Sequence, residues 1–245
     1  MPFATDVGRP HRWPLLALIV ASLGCTGGRA IECGPSPASA SAPRASRVSD
    51  ADPGARRWTF DSVEGAPPSG FELLATGGPP GRWIVRSRAD APSPPAVLAQ
   101  EDSSRSSSRF ALAVATDALF GDARVDTQCL ALAGSTDRAC GLVWRLRDAR
   151  NYYLARANAL ENNVRFYYVE DGSRHEVAGW TGPVSSCAWH TLRADMRGDH
   201  VEIYWDGQKV IDSRDSRFPS AGRVGLWTKA DSRTLFDDLV VRGLP

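Results

Sequence analysis

The sequence predicts an all-β chain built as an antiparallel sandwich or barrel. Eight segments alternate or run apolar over strand length, no long segment carries helical periodicity, and two Asp-Gly pairs stand between strand-like runs. In chain order the strand-like segments are FALAVATDA, ARVDTQCLALA, CGLVWRL, YYLARAN, VRFYYVE, HTLRADM, HVEIYWD and RVGLWT. The Asp-Gly pairs, Asp171-Gly172 and Asp206-Gly207, are the residues that tight hairpin turns demand.

Ahead of these strands the 245-residue chain carries two segments of another kind. Arg9, His11 and Arg12 precede the apolar run PLLALIVASLG, residues 14–24. That run is too short to cross a bilayer and has the length of a signal-peptide core, so residues 1–24 are expected to direct export. Cys25 follows at once in ASLGC, which resembles a bacterial lipoprotein box with Ser22 as its weakest position, so lipidation of Cys25 is expected. An ordinary cleaved secretory signal is the alternative. The expected location is the cell envelope, as an outer-membrane or periplasmic lipoprotein, or outside the cell. Residues 25–56 are rich in Pro, Ala, Ser and Gly and read as a flexible tether, which leaves one sandwich domain over 57–243.

Composition excludes several function classes. Net charge is +1 and no basic run interleaves with aromatics, so nucleic acid is not an expected partner. The membrane is expected to matter only through the leader or its lipid. No CxxC or Cys/His ligand spacing is present, so no zinc site is expected. Oxygen ligands suit calcium or another divalent ion, and Asp237 or Asp238 is the candidate to hold one. The expected state is a monomer with no cofactor.

Alternation allows a register to be drawn by hand, since directly opposed residues share a face. Trp144 is set opposite Tyr153 and Leu142 opposite Ala155. Ala157 is set opposite Phe166 and Ala155 opposite Tyr168. Cys129 is set opposite Cys140, which predicts a disulfide between them or, alternatively, two small buried thiols. This register yields one sheet with an apolar face and a second face holding Asp126, Gln128, Arg145, Tyr152, Arg156, Asn158, Arg165 and Tyr167. Planar hydrogen-bonding groups among aromatics suit a sugar, whose hydroxyls need polar partners and whose C–H faces need rings. A polar sheet face tied by cross-strand ion pairs is the bland reading of the same residues. Trp180, in the loop-like VAGWTGP, is the best ring for stacking on a sugar.

Three blocks carry a resemblance: GLVWRLRDARNYYLARANALENNVRFYYVEDG, WHTLRADMRGDHVEIYWDGQKV and GRVGLWTKADSRTLFDDLVV. Together they resemble exported bacterial domains of the concanavalin A-like lectin/glucanase group, of the kind described as family 16 glycoside hydrolase-like or 3-keto-disaccharide hydrolase-like. The resemblance implies a jelly-roll sandwich of two antiparallel sheets, one concave and able to hold a glycan, with carbohydrate as partner. It also implies hydrolysis or elimination of a glycoside. The chain has no E-x-D-x-x-E strand motif, so the paired-carboxylate mechanism of family 16 is not expected. Elimination from a 3-keto-glycoside needs only a tuned acid or base, and His190, Glu161, Lys229 and Asp231 are the candidates. A non-catalytic glycan-binding module and a structural or protein-binding envelope domain are the alternatives.

Overall fold

A computed structural model describes Met1, Cys33 and residues 54–245. The leader run, Cys25 and nearly all of the tether lie outside these described residues. Fifteen strands follow in order: β1 (Ala55–Trp58), β2 (Phe71–Thr76), β3 (Trp83–Ser87), β4 (Ala96–Gln100), β5 (Phe110–Phe120), β6 (Ala123–Ala133), β7 (Ala139–Asp148), β8 (Asn151–Asn158), β9 (Asn163–Glu170), β10 (Ser173–Thr181), β11 (His190–Arg197), β12 (His200–Trp205), β13 (Gln208–Arg214), β14 (Gly222–Lys229) and β15 (Arg233–Gly243). They form two sheets. One runs β13-β12-β11-β6-β15-β4-β3 with β1 also on β15, and the other runs β10-β9-β8-β7-β14-β5-β2. All pairings are antiparallel. Of the two architectures the strand pattern predicts, the fold is thus the sandwich, in the two-sheet form that the resemblance implies.

Both Asp-Gly turns form. Asp171 and Gly172 have φ of 50° and 82°, Asp206 and Gly207 of 49° and 81°. Positive φ at both central residues matches the turn to the twist of the flanking strands. The main core lies between the sheets, where Trp144 stacks on Tyr153 at 5.8 Å and on Phe166 at 5.7 Å. Fully burying one such side chain is worth about 1.5–3 kcal/mol.

The hand-drawn register is right in one hairpin and displaced in two places. Trp144 pairs with Tyr153 and Leu142 with Ala155, as predicted. Between β8 and β9, however, Ala155 pairs with Phe166 and Ala157 with Val164, a shift of two residues. A two-residue shift leaves every side chain on its own face, so alternation cannot detect it. The larger correction concerns β6 and β7, which belong to opposite sheets. Cys129 and Cys140 are disulfide-bonded, but the bond crosses the core from sheet to sheet. Both cysteines point inward, and inward residues can meet across a sandwich as well as across a hairpin. Asp126 and Gln128 therefore lie on the outer face of the larger sheet, not beside Arg156.

Two bulges break the expected parity. Arg145 sits in an irregularity between β7 and β8 with φ of 46° and does not pair with Tyr152. Its guanidinium is buried and donates to the carbonyls of Gly121 (3.2 Å) and Phe218 (2.8 Å) and to Asp122 Oδ1 (2.9 Å). Asp237 and Asp238, which regular alternation would turn to opposite sides, converge because Asp238 has φ of 50° at a bulge. Ser93 N–H donates to Asp237 Oδ2 (2.7 Å) and Ser93 O–H to Asp238 Oδ1 (2.8 Å). A second disulfide joins Cys33 to Cys187.

Candidate functional site

The smaller sheet turns one face to the main core and carries a second apolar cluster on the other. Leu112, Val114, Val143, Tyr152, Leu154, Tyr167, Val169 and Trp227 are all buried there. This face is not an open groove along its whole length. Thr76, at the end of β2, bonds to Tyr152 Oη (3.0 Å) and to the carbonyl of Ala149, though β2 and β8 lie four places apart in the sheet. Arg174 of β10 stacks over Tyr167 (4.4 Å) and Phe110 (5.3 Å). The sheet curls so that side chains from both of its edge strands reach over these rings. Burial alone pushes the Tyr152 hydroxyl up to about 12, so it stays neutral and serves packing.

At the other end the same face turns polar. Arg156 is 1% exposed; its Nη2 donates to Glu161 Oε2 (2.8 Å), Asn163 Oδ1 (2.9 Å) and Tyr167 Oη (3.3 Å). Asp137 faces it, with Oδ2 3.9 Å from Arg156 Nη1 and 3.1 Å from Lys229 Nζ. Asn158 Nδ2 donates to Asp137 Oδ1 (3.0 Å), and Asn158 Oδ1 caps the 159–162 turn by accepting from Leu160 N–H (2.9 Å). Gly141 lies between Arg156 and Trp227 in the strand pairing, where an added Cβ would stand 3.0 Å from the Trp227 ring and from Leu154. A side chain here would crowd the junction between the apolar and polar halves.

Asp231 anchors the loop that presents Asp137. Its carboxylate accepts from the N–H groups of Ser135 (2.9 Å), Thr136 (2.9 Å) and Asp137 (3.0 Å) and from the Ser135 hydroxyl (2.9 Å). Burial works against its charge, but these donors outweigh it and hold the carboxyl below its ordinary range.

Two carboxylates in the cluster are driven apart. Burial pushes Asp137 up against the opposing pull of Arg156 and Lys229. The hydrogen bond from Arg156 brings Glu161 from 4.5 down to about 2. A depressed carboxyl stabilises the fold above its unfolded value and loses that contribution as pH falls through its folded one. Stability is therefore expected to decline between pH about 4.5 and 2 partly through Glu161. Urea unfolding of Glu161→Gln should show a shallower decline in that window, and an unaltered slope would contradict the pairing.

Several residues chosen from the sequence meet here: Arg156, Asn158, Glu161, Tyr167 and Lys229 line the cluster, and Asp231 braces it. Arg165 shares the face through its pairing with Arg156 and lies 3.5 Å from Glu176. Trp180 pairs with Val164, a residue of the main core, so it lies on the core side of the sheet, opposite the Arg156 face, and packs against that core. His190 belongs to β11, in the larger sheet, with Gln128 and Asp126 on the neighbouring strand. Asp126 is held back by burial, its carboxyl pushed up to about 6. Asn163 is a strand residue that contacts Arg156, whereas Asn162 takes the turn with φ of 49°. Asp137 was missed because it sits in the aperiodic loop GSTDR.

A cation could be imagined at His200, Glu202 and Asp212, whose donor atoms lie within 4.8 Å of one another. Lys209 Nζ already takes that role, at 2.9 Å from Glu202 and 2.6 Å from Asp212.

The two antiparallel sheets, the smaller of them curved, form a sandwich that is concanavalin A-like in fold, a likeness it shares with solved structures. The carbohydrate-binding module CBM66 of Bacillus subtilis superposes with a TM-score of 0.57 and 22% identity, over 70% of this chain and 95% of the module. The Bacillus licheniformis β-glucanase superposes with a TM-score of 0.50 and 12% identity, over 78% of this chain and 99% of the enzyme. In sequence, 80 residues are 36% identical to a levanase of Bacillus subtilis strain 168, a stretch covering 33% of this chain but 12% of the levanase. No family model matches the chain.

Proposed function

We propose that the domain binds carbohydrate, at the polar end of the smaller sheet, as a glycan-binding module. One observation carries this reading. Arg156 is 1% exposed, yet its Nε and Nη1 have no hydrogen-bond acceptor among the described residues. Buried polar groups are otherwise nearly always satisfied, so these open N–H groups mark where the cluster lacks an acceptor. Arg156 and Lys229 offset Asp137 and Glu161 in charge, which suits a neutral, hydroxyl-rich ligand better than an ion. Lys229 and Glu161 are the members that reach solvent, with side chains 15% and 47% exposed, and they form the mouth.

The similarity to a carbohydrate-binding module over nearly its whole length supports binding, and the short match to a levanase makes levan-type polysaccharide the first ligand to try. Export fits the two disulfides, which persist in oxidising compartments. The enzymatic reading is favoured by one feature, the opposed displacement of the Asp137 and Glu161 carboxyls, which is how acid and base roles are divided.

Calorimetric titration with levan, inulin, other oligosaccharides and 3-keto-disaccharides tests both readings. Binding of at least one member is expected, weakened roughly tenfold or more in Lys229→Ala, in line with about 1.5–3 kcal/mol for a charged hydrogen bond. No binding to any member would remove the proposal. Release of cleaved sugar by the wild type, lost in Glu161→Gln, would put catalysis first.

A further inference from the structure

Ser185, His190 and Asp206 lie apart from the Arg156 cluster and form a hydrogen-bonded chain. His190 Nδ1 is 2.8 Å from Asp206 Oδ2, and His190 Nε2 is 2.8 Å from Ser185 Oγ. A carboxylate can only accept, so Nδ1 holds the ring proton and Nε2 is left to accept from the Ser185 hydroxyl. This is the order of contacts in a serine acyl-transfer triad, with the serine on Nε2 and the carboxylate on Nδ1.

Each member is held by its neighbours. His190 opens β11, and its ring stacks on Trp205 at 4.6 Å. Asp206 begins the Asp-Gly turn; its Oδ1 accepts from Thr191 N–H (2.9 Å) and its own N–H donates to the Thr191 carbonyl (2.9 Å). Ser185 is exposed, on a loop fixed by the Cys33–Cys187 disulfide, by Cys187 N–H to the Ala131 carbonyl (3.1 Å) and by Val184 N–H to Asn162 Oδ1 (3.2 Å). Arg138 Nη1 lies 3.0 Å from the hydroxyl of Ser186, so a cation stands beside the residue that follows the nucleophile.

We infer that Ser185, His190 and Asp206 hydrolyse acyl esters presented at the protein surface. Ser185 Oγ bonds to the acyl carbon as its proton passes to His190 Nε2. The ester C–O bond then breaks, and the alcohol leaves with that proton. Water adds to the acyl-serine, gives a proton to His190, and the acid departs as Ser185 regains its hydrogen. Asp206 holds the ring and offsets its charge. Nothing in these steps depends on glycan binding at Arg156.

The full chain would be treated with an alkyl fluorophosphonate, which labels activated serines, and in parallel with p-nitrophenyl acetate. Labelling of the peptide containing Ser185 is expected, with a rate at least tenfold lower in Asp206→Asn and in His190→Gln. Ester turnover should be lost in Ser185→Ala, an exposed site where the fold is not at stake. Absence of label on Ser185, or a labelling rate untouched by Asp206→Asn in a chain with unchanged circular dichroism, would overturn the inference.

Discussion

Replacing Arg156 with Met is expected to lower stability by about 3–5 kcal/mol, because it leaves Asp137 buried with one of its two cations gone. For a chain of this size that corresponds to a fall in Tm of roughly 6–20 °C. The loss comes mainly from the stranded charge and not from the Arg156 contacts themselves. The double variant Arg156→Met with Asp137→Asn should therefore recover part of it, a coupling that a thermodynamic cycle reads directly. Glycan binding should disappear in both. A cost below about 1 kcal/mol for the single change would mean that Asp137 is already satisfied without Arg156.

Trp227→Ala is expected to cost about 3–5 kcal/mol, measured as a shift in the urea midpoint at constant slope. Trp227 is fully buried, packs on Phe110 at 5.3 Å and lies under Arg174, yet it is on the side of the sheet turned away from the main core. The prediction tests whether that face is a second core. A cost near 1 kcal/mol would show that the curled sheet opens readily and that the ring is hydrated much of the time. Trp227→Phe, which keeps most of the area and drops an indole N–H without a hydrogen-bond partner among the described residues, should cost far less.

These two residues mark what could and could not be read from the sequence. Alternation located eight strands and the Asp-Gly pairs located two turns, because both depend on nearest neighbours in the chain. The same alternation set Tyr152, Arg156, Asn158 and Tyr167 on one face, and there they are. It could not tell a partner across a hairpin from a partner across the core, which is why the Cys129–Cys140 pair was found while β6 was given to the wrong sheet. Nor could it foresee Arg145 and Asp238, where a residue with positive φ resets the parity. Asp137 and Ser185 stayed hidden because loops have no period. Their roles come from contacts with residues far along the chain, Asp231 and Lys229 for one and His190 for the other. Strands β1 to β4 were not separately marked, and the curl that brings Thr76 to Tyr152 is a property of the whole sheet.

The Cys33–Cys187 bond changes how far the domain could stray from a membrane. Were Cys25 to carry a lipid, the first described strand would otherwise begin thirty residues later, at Ala55, a leash of about 100 Å when fully drawn out. Stapled at Cys33, the leash is only eight residues, or about 28 Å. Thiol reduction would then lengthen it more than threefold. In the oxidised form the loop bearing Ser185, and the Asn162 turn bonded to it, would be the part of the molecule kept nearest the bilayer, so a polymer reaching the Arg156 cluster would be held close to the cell surface.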